Sequence, residues 1–238
     1  MSLPKIAIKT EKTKLPVSGK IIELRPFTVR EQKGMLLAVE NAKNKDKKEK
    51  IQSLLSDFSG MLQSCVMNNV TLTDLTLTDF LMVVMTMRSI SVGETARMIY
   101  NCSCGSPVEF EFDINKLTCT NKNKKYEKTI KVSNDISITV DIITIKDLLS
   151  LEPTSEEDIV LQTIAKSITK ISDSETVHLT KDVEESEVME FVNNLPITTI
   201  SEIKKVFDQY PTLVYRDTIN CPNGKEKLEV VDIQDFFS

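Results

Sequence analysis

Cysteine is the side chain with the clearest chemical potential in this 238-residue sequence, and two of its cysteine-bearing stretches repeat one pattern. Residues 102–114 read CSCGSPVEFEFDI and residues 221–233 read CPNGKEKLEVVDI. Aligned without a gap, Cys102 falls on Cys221, Gly105 on Gly224, and Asp113-Ile114 on Asp232-Ile233. A cysteine turn closed by glycine and followed by a strand is the half-site of a zinc ribbon, because two such turns bring thiolates to one tetrahedral ion. Cys102 and Cys104 can face a single zinc, with Cys221 joining them if the turns meet. The second copy carries Asn223 where the first has Cys104, so the fourth ligand would be Cys119, solvent or a carboxylate. C-x-C is tighter than the usual two-residue gap. The same residues therefore also fit a ribbon whose turns and strands persist without the ion. A disulfide between Cys102 and Cys104 is disfavoured by the strain of so short a bridge.

Other chemistries find little to work with. His178, the one histidine, lies in a polar stretch outside both turns and reads as a surface residue. No serine or cysteine nucleophile sits in a recognisable motif, and no phosphate-cradling glycine loop occurs among six glycines. The carboxylates group as helix caps (Glu156, Glu157, Asp158) and solvated faces (Glu184, Glu185, Glu187). An enzyme is not expected. A net charge of −5 argues against nucleic acid as a partner, and the lysine runs at 43–50 and 121–125 read as solvated surface. The longest apolar stretch, at 80–85, is too short to span a bilayer. Five cysteines, an odd number, with no secretory signal at the start, lead us to expect a reducing compartment.

The elements that must position the cysteines follow from periodicity. Residues 20–25 suit a strand stopped by Pro26, and Thr28 with Glu31 forms a capping box for a helix to about Asn41. Ile51, Leu54, Leu55, Phe58, Met61, Leu62 and Cys65 form one helical stripe, which makes Cys65 a buried structural thiol. Thr76 or Thr78 caps an apolar third helix ended by Gly93. Residues 94–101 and 108–114 read as strands around the first cysteine turn: Val108, Phe110 and Phe112 alternate with Glu109, Glu111 and Asp113. Residues 129–142 read as a hairpin turning at Asn134-Asp135. Ser155 caps a helix with the stripe Ile159, Val160, Ile164, Ile168 and Ile171, and helices at 184–194 and 199–209 flank Pro196. Strands at 213–219 and 226–233 surround the second turn, and the pair Phe236-Phe237 is expected to dock.

The expected fold class is α+β: helical segments packed around a small antiparallel β module with two zinc-ribbon-like knuckles. Five segments follow. Residues 1–20 are extended or disordered, 21–95 helical, 96–145 a β knuckle and hairpin, 146–212 helical, and 213–238 a second knuckle returning to the first. Together they would make one compact domain.

Several landmarks occur in a particular order: LRPFTVREQK at 24–33, LTDFLMVVMTMRSISVGE at 77–94, NCSCG at 101–105, EESEVMEFVNNLP at 184–196 and the terminal NCPNG…DIQDFF. From about Ile22 to Phe237 this succession resembles the baseplate hub family of T-even-type contractile-tailed bacteriophages. The resemblance implies a late, non-catalytic structural or assembly protein that docks on other hub subunits. It places the chain in the host cytoplasm during assembly, and then either in the virion's tail baseplate or released once assembly is complete. It also implies that Arg88, Ser89, Ser91 and Gly93 form a family signature. The alternative is a free-standing zinc-ribbon adaptor that binds another protein or nucleic acid. Glu109, Glu111 and Asp113 after the first turn, with Glu226, Glu229 and Asp232 after the second, favour protein docking over nucleic acid.

Overall fold

The computed structural model describes residues 8–43, 45, 47–121, 125–152 and 154–230. In chain order, β1 (Glu11–Lys14) and β2 (Ile21–Leu24) precede the helices α1 (Val29–Ala42), α2 (Lys47–Gln63) and α3 (Leu77–Val92). Then come β3 (Thr95–Asn101), β4 (Pro107–Asp113) and β5 (Leu117–Cys119). Next are β6 (Lys128–Lys131), β7 (Ser137–Val140), α4 (Ile145–Leu149) and α5 (Glu156–Ser167). β8 (Ile168–Ser172), β9 (Val177–Leu179), α6 (Glu185–Asn193) and α7 (Ile197–Phe207) follow, and β10 (Leu213–Cys221) and β11 (Gly224–Val230) end the described chain. Every strand pairing is antiparallel, so the mixed α+β class stands. Among the described residues no helix is long and apolar enough to cross a membrane. The described residues form two compact units, those within 1–122 and 211–238, and those within 123–210.

In the first unit the helices begin where local chemistry sets them. Thr28 and Glu31 make the expected capping box on α1. Thr76 caps α3 by accepting from the Asp79 N–H, and Gly93 ends that helix with φ +133°. The alternative cap, Thr78, instead donates to the Pro211 carbonyl at 2.7 Å. The α2 stripe buries Leu55, Phe58 and Leu62, and Cys65 is fully buried in the turn just beyond the helix; the side chain of Ile51 lies outside the described ones. β1, in a stretch expected to be extended or disordered, pairs with β2.

The two motifs of the resemblance that lie nearest the N-terminus meet here. The Phe27 N–H donates to Ser91 Oγ at 2.9 Å, while Arg88 Nη1 donates to the carbonyls of Gly93 (3.0 Å) and Thr95 (3.4 Å). Arg88 thus satisfies carbonyls left open where α3 gives way to β3, and Ser91 satisfies an amide of the segment between β2 and α1.

Arg25 Nη2 donates to Glu31 Oε1 at 2.9 Å, and both side chains are largely covered. Glu31 also accepts from the N–H and hydroxyl of Thr28. The hydrogen bond from Arg25, followed by those from Thr28, holds the Glu31 carboxyl down at about 2, from a usual 4.5. Its folded-state value lies below its unfolded one, so its contribution is present above pH 4.5 and disappears as pH falls from about 4.5 to about 2. Glu31→Gln keeps an acceptor for the cap but loses the ion pair. We expect it to cost about 2 kcal/mol at neutral pH. Denaturant titrations should find the wild-type and variant stabilities converging toward pH 2.

The β core of this unit lies between two hairpins. Along β3 and β4 the inward residues Ala96, Met98, Tyr100, Val108, Phe110 and Phe112 pack against Tyr215, Ile219 and Leu228 of β10 and β11. Tyr215 is completely buried, and its hydroxyl donates to Asp217 Oδ2 at 2.9 Å. Asp217 in turn holds Lys116 at 2.7 Å. β5 adds a third strand beside β10.

The second unit is a four-stranded sheet in the order β6-β7-β8-β9. Ile130, Ile138 and Val140 of the sheet meet Ile164, Val192 and Ile203 of the helices in its core. The hairpin expected over 129–142 is β6–β7, and its turn is held by Ser133 Oγ accepting from the Asp135 and Ile136 N–H groups. One expectation is corrected. The stripe ending in Ile168 and Ile171 is not wholly helical, because α5 stops at Ser167 and Ile168–Ser172 pairs with β7. Ile168 and Ile171 satisfy the helical spacing, but this β-branched segment (ITKIS) gains a strand partner on β7 and follows it. The helices flanking Pro196 run over Glu185–Asn193 and Ile197–Phe207. The pair Phe236-Phe237 lies outside the described residues.

Candidate metal centre

The first cysteine turn joins β3 to β4. The Cys102 N–H donates to the Ser106 carbonyl at 3.0 Å, and the Gly105 N–H donates to the Cys102 carbonyl at 2.8 Å. Gly105 has φ +80°, a conformation that glycine adopts without Cβ strain. The second turn, Pro222-Asn223, closes β10 onto β11, with Cys221 paired opposite Gly224 at φ +125°. Both turns thus place cysteine at the first position and glycine at the fourth, as their alignment requires.

Packing between the hairpins brings the turns together. Cys221 Sγ lies 2.9 Å from Cys102 Sγ and 3.1 Å from Cys104 Sγ. The three sulfurs fall within 4.8 Å of one another, the one such group of three or more metal-ligating side chains among the described residues. A zinc with Zn–S bonds near 2.3 Å holds its thiolates about 3.8 Å apart. The observed contacts need to open by only about an ångström to receive it, so these residues fit a tetrahedral ion. Exposure is graded: Cys102 is buried, Cys221 half-buried and Cys104 exposed.

The local hydrogen bonds favour a thiolate at the rim. Cys104 is held down to about 6, first by its hydrogen bond with Cys102, then by Ser106 and Cys221. Cys221 is pushed up to about 12, chiefly by its hydrogen bond with Cys102, while the Asn223 N–H works the other way. A carboxylate locks the first turn against the second hairpin. Glu226 of β11 accepts from the Ser103 N–H at 3.1 Å through both oxygens, and from Ser103 Oγ at 3.0 Å. Glu226 drew notice in the sequence only as surface acidity. Nothing local marks it as the residue that joins chain positions 123 apart.

The remaining expected ligand stands elsewhere. Cys119 lies on β5, packed with Leu81 and Leu213, and its Sγ donates to the Thr120 carbonyl at 3.4 Å. It belongs to the hydrophobic core and not to the thiol group, because pairing Cys119 with Leu213 fixes it at the opposite end of β10 from Cys221. His178, on β9, is within 2.9 Å of Thr176 Oγ and more than half exposed, a surface residue as expected. The structure therefore gathers Cys102, Cys104 and Cys221 and leaves Cys119 out.

No curated protein and no solved structure shows a significant match to the chain. A family profile described as T4 bacteriophage base plate protein does, over residues 7–238, which takes in both cysteine turns, the capped helices and everything between them. With nearly the whole length matched, the chain belongs to the T4 bacteriophage base plate protein family.

Proposed function

We propose that this chain is a structural or assembly component of the hub within the baseplate, and that it works by docking on other hub subunits. The family match over 7–238 makes it a baseplate protein and carries this reading. The order of its landmarks, from the Arg-Pro-Phe-Thr entry to the terminal cysteine turn, supports the hub in particular. The role is non-catalytic, made late in infection, and exercised first in the host cytoplasm and then in the virion tail. Outward-facing Glu109 and Glu111, on the strand that leaves the first cysteine turn, support a protein partner over nucleic acid. Affinity capture of the chain from infected-cell lysate, read by mass spectrometry, tests the assignment. Recovery with the hub subunits of the particle is expected, and recovery with outer baseplate parts alone would reject the hub reading.

In the same reading Cys102, Cys104 and Cys221 hold one structural zinc that fastens the two knuckles. The sulfur separations support it. Glu226 acts as a positioning residue for that site. Replacing it by glutamine removes the charge that draws in the Ser103 N–H and should weaken zinc binding by roughly 10- to 100-fold. Competition with a colorimetric chelator measures this, and an affinity equal to wild type would deny Glu226 the role.

A further inference from the structure

Building on that zinc reading, we propose that the site is one ligand short within this chain. Its open position takes an imidazole or thiolate from a neighbouring baseplate subunit, so that the ion forms part of a docking contact. Three cysteine sulfurs are gathered and the described residues supply no fourth donor. Where the first turn has Cys104 the second has Asn223, and a carboxamide is not among the usual zinc ligands. The carboxylate beside the first turn, Glu226, is already engaged by Ser103 through three hydrogen bonds. Cys119 is held in the core beside Leu81 and Leu213.

The exposure gradient gives the vacant vertex a direction. Cys102 is covered and Cys104 is exposed, so an ion seated on the three sulfurs is shielded on the Cys102 side and reachable from the Cys104 side. Three protein ligands and an open position also describe catalytic zinc. Here three thiolates would leave the ion with a net charge of −1, which makes it a poor acid for activating water. A further soft donor suits such an ion, and a baseplate protein has neighbouring subunits from which one can come.

Cobalt(II), which reports coordination through its visible spectrum, tests the idea on the full-length chain. One cobalt per monomeric chain is expected, with thiolate charge-transfer bands and a d–d envelope that shifts as imidazole is added and saturates at one imidazole per ion. Saturating imidazole should raise cobalt affinity at least tenfold. Cys104→Ser should lower affinity by at least about 100-fold while the melting temperature of the metal-free protein stays unchanged, and Cys119→Ala should leave the spectrum as it is. Cobalt bound with a spectrum indifferent to imidazole would overturn the open position while leaving the zinc site intact. A response to imidazole appearing only in Asp232→Asn or Asp235→Asn would assign the fourth ligand to the chain's own tail and overturn it too. Two chains per ion would replace the neighbouring subunit by a second copy. Failure to take up either cobalt or zinc would remove both the open position and the zinc reading on which it rests.

Discussion

Stripping the protein with a strong chelator is expected to lower its melting temperature by roughly 10 °C, and restoring zinc is expected to reverse the loss. The three sulfurs come from turns far apart in the chain, with Cys104 and Cys221 separated by 117 positions. An ion that binds them together exists only in the folded state, so its binding free energy adds to folding. Zinc-dependent peptides that are unfolded without metal draw about 10–16 kcal/mol from it. Here the hairpins already meet through Phe112, Tyr215, Ile219 and Leu228, so the hydrophobic core survives metal loss. A contribution of about 4 kcal/mol is the reasonable scale, since near this size 1 kcal/mol moves the midpoint by about 2–4 °C. Cys221→Ser, which removes the sulfur in contact with both others, should reproduce the chelator's effect and then show no further response to it. Identical melting curves with and without chelator would instead identify a ribbon that has kept its turns and lost its metal.

Asp79→Ala should be the most damaging single change away from the cysteines, at about 3–4 kcal/mol. Asp79 is fully buried, yet its carboxylate accepts from the Val17 N–H at 2.8 Å and the Ser18 N–H at 2.9 Å. It stands in the first turn of α3, where the helix dipole favours a negative charge. One side chain therefore satisfies two amides of the loop between β1 and β2 and complements the start of the most buried helix. Alanine leaves those amides without an acceptor and opens a small void. Asp79→Asn keeps one carbonyl oxygen but turns an NH2 group toward the other donor, so it should recover less than half of the loss. Equilibrium denaturation reads both variants, and an alanine variant within 1 kcal/mol of wild type would show that water replaces the carboxylate.

How much of this was legible in the sequence depends on how far apart the interacting residues lie. The Thr28–Glu31 capping box, the Thr76 and Ser155 caps, the alternation in β4 and the hairpin turn near Asn134 involve partners within a few positions. Spacing alone reveals them. The internal repeat also pointed to Cys102 beside Cys221, because two cysteine turns of one pattern are the two half-sites of a zinc ribbon. β1 was harder to foresee: EKTK is a poor strand by composition, and it is ordered by pairing with Ile21–Leu24.

Residue types and short-range spacing determined the helix starts, the strand faces, the α+β class and the thiol chemistry of the two turns. Tertiary structure alone decided that α5 ends at Ser167, that Cys119 joins the core instead of the thiols, that Glu226 clamps Ser103, and that Asp79 closes on Val17 and Ser18. Each of these depends on which distant group arrives beside the residue. That choice is made by burial of whole faces and by closure of long loops, and no local window of the chain contains it.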